Sequence, residues 1–146
     1  MAKLNHARSF RDLLVYQKAI KASRKIFEIS KSFPKEEAYS LTSQIRRASR
    51  SIGAQIAEAW AKRRYERHFV SKLTDADAEQ METQHWIDEA LGCQYLNSNP
   101  AETLNLELMQ IGRMLNSMIE KAHLFCGQRN GIIRDETAEY LVDTDD

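Results

Sequence analysis

The stretch that decides the fold is residues 41–61, which have the sequence LTSQIRRASRSIGAQIAEAWA. Apolar residues recur there every three or four positions, the spacing that places side chains on one face of an α-helix. With one glycine and no proline, the stretch contains little that would break a helix. It therefore predicts an amphipathic helix, which we expect to extend over about 36–64. The residues of its apolar face are Leu41, Ile45, Ala48, Ile52, Ile56 and Ala59.

Three further segments have the same helical period. We expect a first helix over 10–33, N-capped by Ser9 and ended by Pro34, and a third over 66–96. The fourth, over 97–127, starts at Asn97-Ser98-Asn99-Pro100, a cap followed by a first-turn proline. Four long amphipathic helices with short connections predict an all-α, up-down-up-down four-helix bundle over 10–127. Residues 1–9 and the acidic residues 128–146 are then N-terminal and C-terminal tails.

The first helix has two apolar rows about 120° apart, which is wider than the arc of about 100° that one core requires. This width suggests that the helix contacts a second subunit as well as its own bundle. Small residues on the outer face of the second helix would also allow close approach by a neighbour. The first row is Leu13, Tyr16, Ile20 and Phe27, the second is Val15, Ala19, Ala22, Ile26, Ile29 and Phe33, and the small residues are Ala54, Ala57 and Ala61.

Composition excludes several classes of protein. The chain has 146 residues, 42% of them apolar and 29% charged, which is ordinary for one soluble domain. No apolar run approaches the roughly 20 residues of a transmembrane helix, and no signal peptide is evident. Cys93 and Cys126 have no metal-ligand spacing, so we expect reduced thiols in a cytoplasmic protein without a cofactor.

Charge is divided unevenly along a chain whose net charge is zero. Residues 1–72 contain 17 Lys and Arg against 6 Asp and Glu, a net +11, and residues 73–146 contain 4 against 15, a net −11. Such asymmetry is typical of a nucleic-acid-binding face, and equally of complementary surfaces that pair within or between subunits. An acidic ridge is expected on the third helix, formed by Asp75, Glu79, Glu82 and Glu89.

Two basic clusters are candidate nucleic-acid-binding sites. We define the central cluster as Arg46, Arg47 and Arg50, and the junction cluster as Lys62, Arg63, Arg64 and Arg67. Basic side chains neutralise phosphates and release counterions, and nearby aromatics such as Trp60 and Tyr65 can stack on unpaired bases. For the junction cluster we favour phosphate contact. For the central cluster, phosphate contact and pairing with the acidic ridge of a neighbouring subunit remain equal alternatives.

Two patterns are typical of enzymes. Glu-x-x-His occurs at 82–85 and 120–123, and di-iron bundles use two such motifs with a further Glu from each remaining helix, here Glu28 and Glu58. Their glutamates lie well off the apolar faces, so we expect no metal site and no catalytic residues. Arg63-x-x-x-x-His68 resembles the motif of HEPN-type ribonucleases, in which Arg stabilises phosphate charge and His transfers a proton. A basic helix junction explains the same residues more simply.

Two segments resemble a known bacterial family. They are FRDLLVYQKA at residues 10–19 and QIRRASRSIGAQIAE at residues 44–58, the latter being the more specific. The family is the four-helix-bundle family named for open reading frames in intervening sequences of 23S ribosomal RNA genes. The resemblance covers roughly residues 10–127 and includes Phe69, Ala76, Glu82 and the end of the third helix. The chain departs from the family's usual Asn at Gln55, Gly at Ala59 and Gly at Asp77.

This resemblance implies a homopentameric, ring-shaped barrel of bundles. The family is also similar to the accessory variability protein of diversity-generating retroelements, a basic pentamer that binds nucleic acid and a reverse transcriptase. Our leading hypothesis is a non-enzymatic homo-oligomer that binds RNA or DNA, as an accessory to a nucleic-acid enzyme such as a reverse transcriptase. The alternatives are a protein-interaction scaffold with charge-paired subunits and, more remotely, a HEPN-like ribonuclease that uses Arg63 and His68.

Overall fold

The computed structural model of the chain describes residues 7–127, and every regular element in that range is helical. The four long helices are α1 (Leu14–Ser30), α2 (Leu41–Ala61), α3 (Glu66–Gly92) and α4 (Ser98–Glu120). Single 3-10 turns lie at Phe10–Asp12, Lys35–Glu37 and Ala122–Leu124. Each helix packs against the next along the chain and α1 also packs against α4, as in an up-down-up-down bundle. The predicted all-α, four-helix class is confirmed. No described helix is long and apolar enough to cross a membrane.

The α1 helix begins four residues later than predicted because a separate turn precedes it. Ser9 caps that 3-10 turn rather than α1: its Oγ accepts a hydrogen bond from the Arg11 N–H, and Asp12 accepts one from the Ser9 N–H. Leu13 then adopts an extended conformation (φ −77°, ψ 129°), which separates the turn from α1. The side chain of Leu13 is buried in the core and fixes the entry of the chain into the bundle.

The α2 helix begins at Leu41, five residues later than predicted, because Glu37 organises the residues before it. One Glu37 carboxylate oxygen accepts hydrogen bonds from the Ser40 hydroxyl at 2.6 Å and the Leu41 N–H at 3.4 Å. The other accepts a hydrogen bond from the Tyr95 hydroxyl at 2.9 Å. This contact ties the α1–α2 connection to the far end of α3. The hydrogen bonds from Ser40 and then from Tyr95 hold the pKa of Glu37 below its usual value.

The C-terminal ends of α3 and α4 also differ from the predicted boundaries. The α3 helix ends at Gly92 because Gln94 has a left-handed conformation (φ 64°), and the Tyr95 N–H turns back to the Ala90 carbonyl at 2.9 Å. The α4 helix begins at Ser98 as predicted but ends at Glu120, and its chain continues through a 3-10 turn to Gly127 at φ 67°. Residues 1–6 of the predicted N-terminal tail and the acidic tail 128–146 lie outside the described residues.

The core follows the predicted pattern on α2, where all six residues of the apolar face are buried. Gln80 and Thr83, which interrupt the apolar face of α3, are buried too. Gln80 donates a hydrogen bond to Asp77 at 2.9 Å, and the same carboxylate accepts one from Asn116 of α4 at 3.2 Å. The Asp77 that replaces the family's usual Gly therefore belongs to a polar contact between α3 and α4.

The two apolar rows of α1 have different roles. Val15, Ala19, Ala22 and Ile26 of the second row are fully buried, so this row forms the core face. From the first row, Tyr16, Ile20 and Phe27 are only half-buried. Tyr16 and Ile20 lie beside Gly53 of α2, where an added Cβ would be 3.3 Å from the Ile20 Cδ1 atom. Part of the wide apolar arc is therefore used within the chain itself.

Candidate nucleic-acid interface

The junction cluster occupies the tight connection between α2 and α3. Backbone hydrogen bonds define the turn: the Lys62 N–H donates to the Ala59 carbonyl at 3.0 Å and the Tyr65 N–H to the Lys62 carbonyl at 3.1 Å. The Gly127 N–H lies 3.4 Å from the Arg63 carbonyl, so the segment after α4 packs against the same turn. The basic residues therefore project from a turn that three helices support.

Arg63 is fixed in place by Trp60. Its guanidinium carbon lies 3.5 Å from the centroid of the indole ring, a stacked cation–π contact, and its Nε donates a hydrogen bond to the Trp60 carbonyl at 3.0 Å. The side chain is partly buried, and this burial lowers the pKa of Arg63. The guanidinium nevertheless stays protonated at neutral pH. The terminal nitrogens form no ion pair with any residue in 7–127. The Arg63 guanidinium is therefore held in one orientation, and its terminal N–H groups can donate hydrogen bonds to a ligand.

Lys62, Arg64 and Arg67 are exposed around Arg63, and none forms an ion pair within the described chain. The first turn of α3 adds to their positive potential, because an α-helix presents unpaired N–H groups at its N-terminus. Tyr65 occupies the N-cap position of α3 and offers no side-chain oxygen to these groups. The junction therefore combines four basic side chains with a helix N-terminus, an arrangement that favours phosphate oxygens.

A cavity of about 390 Å³ opens beside the junction cluster. Its walls include Trp60, Arg63, Arg64, Phe125 and Gly127, so an aromatic surface and two guanidinium groups share one recess. Phe125 is fully buried and stacks on Phe69 of α3, with ring centroids 5.7 Å apart, which makes this wall rigid. The volume is within the range of small-ligand sites.

Cys126 lies next to this recess and is a free, half-buried thiol. Burial, followed by the charge of Glu66, raises its pKa to about 11, while Arg63 acts weakly in the opposite direction. The thiol is therefore protonated at neutral pH and unsuited to act as a nucleophile. Cys93, at the other end of α3, is also free and is exposed.

The central cluster is arranged differently. Arg46 lies against α1: its Nε donates a hydrogen bond to the Ser30 hydroxyl at 2.8 Å, and its guanidinium carbon is 4.7 Å from the centroid of the Phe27 ring. Arg50 is exposed but also lies over Phe27, at 5.3 Å. Both arginines thus cover an aromatic ring that the core leaves half-buried.

Arg47 extends toward α3 instead of α1, so the three guanidinium groups of the central cluster do not point in one direction. Its guanidinium contacts the Glu82 carboxylate at 2.5 Å and the Glu79 carboxylate at 3.6 Å, both on α3. These glutamates belong to the acidic ridge. Pairing with the acidic ridge of a neighbouring subunit was one of the two alternatives for the central cluster, and Arg47 instead pairs with the ridge of its own chain. Glu82 also accepts a hydrogen bond from Trp86 at 3.0 Å.

The residues of the enzyme-like patterns are not brought together. His68 is exposed with its ring beside Tyr65, at 5.4 Å between centroids, and no described contact joins it to Arg63. His85 and His123 are exposed as well. Within residues 7–127 no three His, Cys, Asp or Glu side chains are arranged to hold a metal ion.

A second basic surface was missed in the sequence. Lys18, Lys21 and Arg24 lie along the side of α1 that faces α4, beside Lys25, which pairs with Glu107 at 2.6 Å. Their spacing of three residues places them on one helical face and could have revealed the surface. The two apolar rows are the stronger pattern in the sequence of α1 and obscure this basic face.

Comparison with known proteins places the fold in a family. The model of the 23S rRNA-intervening sequence protein family matches residues 11–117. A crystal structure of a protein of unknown function from the S23 ribosomal protein family of Bacteroides thetaiotaomicron superimposes with a TM-score of 0.67 at 28% identity. The match covers 73% of this chain and 95% of that one. No curated protein matches the chain. Since the family model covers more than half of the sequence, the chain belongs to the 23S rRNA-intervening sequence protein family.

Proposed function

We propose that the protein is a non-enzymatic nucleic-acid-binding protein whose binding site is the junction cluster. Lys62, Arg63, Arg64 and Arg67 would contact phosphates of RNA or DNA, with the first turn of α3 contributing backbone N–H groups. Contacts of this kind position a nucleic acid without selecting its sequence. The family's association with ribosomal RNA intervening sequences is compatible with such a role.

One observation supports this site above all others: the junction cations have no carboxylate partner in residues 7–127, whereas Arg47 is neutralised by α3. An arginine already paired with glutamate must break that pair before it can bind a phosphate. An unpaired arginine incurs no such cost, and counterions released from the nucleic acid add a favourable entropy. The proposal therefore assigns binding to the junction cluster and a structural role to Arg46 and Arg47.

The aromatic surroundings favour unpaired over duplex nucleic acid. Tyr65 is 58% exposed beside the junction, and Trp60 forms the floor of the Arg63 stack. An exposed aromatic ring can stack on a base that is not already stacked in a duplex, typically with a gain of about 1–3 kcal/mol per base. A single strand or a loop is thus the expected substrate class.

We further propose that the protein acts as a homo-oligomer, with the pentameric ring as the expected form. Large apolar side chains remain exposed on the outer surfaces of α3 and α4, at Met81, Leu106 and Met109. Ala54 and Ala61 on α2 are exposed as well and would allow close helix contact. A ring would multiply the junction cluster and raise affinity through multivalency. We also propose an accessory role beside a nucleic-acid enzyme such as a reverse transcriptase, which rests on the family resemblance alone.

Both alternative functions have less support. A scaffold of charge-paired subunits would need Arg47 and the acidic ridge for contacts between chains, but Arg47 pairs with Glu79 and Glu82 of that ridge within the chain. A ribonuclease would need Arg63 and His68 to converge on one phosphate, and they make no described contact with each other. We therefore propose that the protein binds nucleic acid without cleaving it.

The test is equilibrium binding of labelled single-stranded RNA and DNA at several salt concentrations. Arg63→Ala with Arg64→Ala should weaken binding at least about tenfold and reduce the salt slope by roughly 2, about 1 for each lost phosphate contact. Lys31→Ala with Lys35→Ala removes the same charge at the other end of the bundle and should leave affinity nearly unchanged. Equal loss in both double variants would refute the site, and intact RNA after incubation would argue against cleavage.

A further inference from the structure

A groove of about 950 Å³ lies between α1 and α4. Its floor is aliphatic, with Leu14, Ile20 and Ile29 from α1 and Pro100 and Leu104 from α4. The junction cluster is separate from it and contributes no residue. An aliphatic floor offers little to a phosphate backbone and is instead typical of a surface that packs against apolar side chains of a peptide.

The rim of the groove is strongly basic. Lys18, Lys21 and Arg24 form no ion pair within residues 7–127, and Lys25 is paired with Glu107. Glu28 is the acidic residue of the lining, and it pairs with Lys31 outside the groove. The groove therefore presents three uncompensated cations above an aliphatic floor. The complementary ligand is a peptide segment with both carboxylates and aliphatic side chains.

The chain itself contains such a segment. Residues 132–146 include six Asp and Glu against one Arg, interspersed with aliphatic and aromatic residues. The acidic residues are Asp135, Glu136, Glu139, Asp143, Asp145 and Asp146, and the apolar ones include Ile132, Ile133, Tyr140, Leu141 and Val142. Residues 1–6, the other part of the sequence outside the described range, have a Lys and a His but no carboxylate.

The position of Gly127 makes the groove reachable. Gly127 packs at the end of the bundle where α2 meets α3. The α1 helix starts at that same end. Its first turns lie beside the later part of α2, where Tyr16 contacts Gly53, and its last residue, Ser30, binds Arg46 near the start of α2. The groove extends from Leu14 toward Pro100, about 22 Å along α1 at 1.5 Å per residue. Fifteen residues span about 22 Å as a helix and about 50 Å when extended, so they can cover its length.

From these observations we infer that the groove between α1 and α4 is an intramolecular docking site for residues 132–146. The carboxylates of the segment pair with Lys18, Lys21 and Arg24, and its aliphatic residues cover the floor. This inference does not depend on the nucleic-acid-binding proposal. In this arrangement the docked segment neutralises Lys18, Lys21 and Arg24 of α1. The basic side chains of the junction cluster remain accessible to another molecule.

Zero-length carbodiimide crosslinking of the full chain tests the inference, because this reagent joins only amines and carboxylates already in contact. Isotope-labelled and unlabelled chains are mixed under denaturing conditions, refolded together and crosslinked. We expect mass spectrometry to find Lys18 and Lys21 joined to carboxylates of 135–146 within one chain, several-fold more often than Lys35, an exposed lysine at the far end. The crosslinks should disappear in Lys21→Glu with Arg24→Glu.

Charge reversal on the segment provides the matched control. Adding Glu136→Lys and Glu139→Lys to the reversed groove should restore protection of 132–146 against amide hydrogen exchange. Lys35→Glu, at an exposed position outside the groove lining, should not disturb this protection in the otherwise wild-type chain. Crosslinks that join labelled to unlabelled chains would assign the groove to the segment of a second copy and overturn the intramolecular inference. Exchange of 132–146 at the rate of a free peptide in the wild-type chain would overturn it as well.

Discussion

The two basic clusters, one on α2 and the other at the connection between α2 and α3, are both rich in arginine but have different surroundings. In the central cluster, Arg46 is hydrogen-bonded to α1 and Arg47 is ion-paired with α3. In the junction cluster, Arg63 is stacked on Trp60 with exposed Arg64 beside it, and neither forms an ion pair within the described residues. A run of basic residues therefore predicts a binding surface only where the fold does not supply the anions. The position of each cluster explains the difference. The central cluster lies between α1 and α3, which supply its partners, whereas the junction cluster lies beyond the last residue of α2.

The largest expected effect comes from removing the support of the junction cluster. Trp60→Ala should lower the free energy of unfolding by about 3 kcal/mol, because the buried indole leaves a cavity, and it should also abolish the orientation of Arg63. Urea denaturation and oligonucleotide binding measure the two consequences. Trp60→Phe keeps a ring beneath the guanidinium and should retain much of both. Full affinity in a folded Trp60→Ala protein would show that the stack is unnecessary.

The second prediction contrasts one arginine from each cluster. Arg46→Ala should destabilise the fold by about 1–2 kcal/mol, since it removes a hydrogen bond to Ser30 and a cation–π contact with Phe27. Arg64→Ala should change stability by less than about 0.5 kcal/mol because Arg64 is exposed. Nucleic-acid affinity should show the reverse order. If Arg46→Ala weakened binding more than Arg64→Ala in folded protein, the comparison between the clusters would fail.

A third, smaller effect concerns the ion pair between Arg47 and Glu82. A double-mutant cycle with Arg47→Ala and Glu82→Ala should give a coupling energy of about 0.5 kcal/mol, because both side chains are partly exposed to solvent. Sedimentation of the same variants should show an unchanged mass. A change in mass with no change in subunit stability would indicate that the pair acts between chains.

The smallest effect is expected at the end of the bundle away from the junction, where Tyr95 donates to Glu37. Hydrogen bonds from Ser40 and Tyr95 lower the pKa of Glu37, so this contribution is present above its ordinary pKa of 4.5 and is lost as the pH falls below it. The same hydrogen bond raises the pKa of Tyr95 to about 12 from 10.0, so the contribution is also lost as the pH rises through this range.

The melting temperature of Tyr95→Phe should therefore fall furthest below that of the wild type near neutral pH, and the difference should shrink at both extremes. Nucleic-acid affinity at neutral pH should be the same in both proteins. A constant difference in melting temperature across the whole pH range would mean that this hydrogen bond does not contribute.

Much of the fold could be predicted from periodicity, and its failures have local causes. The buried faces of α2 and α4 follow the apolar spacing, whereas the start of α2 depends on the Glu37 carboxylate and the start of α1 on Leu13. Both helix starts depend on single side chains, and intrinsic helix propensity does not reveal such contacts. On α1 the more aromatic row was no guide to the core, because Phe27 serves instead as a platform for Arg46 and Arg50.

The candidate site could be predicted only in part. The sequence indicates where cations concentrate, but ion pairs such as that between Arg47 and Glu82 join residues 35 positions apart and require the packing of α2 on α3. The stack of Arg63 on Trp60 is local and could have been predicted, because residues three positions apart at the end of a helix lie on the same side. The groove between α1 and α4 required the tertiary structure, since Pro100 and Leu104 of its floor come from a helix far along the chain.

Photocrosslinking of the wild-type protein to an oligonucleotide with photoreactive halogenated pyrimidines tests the central claim most directly, because such bases react with aromatic side chains that they contact. We expect crosslinks at Tyr65, which is exposed beside the junction cluster, in amounts that fall as salt increases. Phe27, beneath the central cluster, should remain unmodified. Crosslinks concentrated at Phe27, or a complete lack of crosslinks at low salt, would contradict the assignment of nucleic-acid binding to the junction.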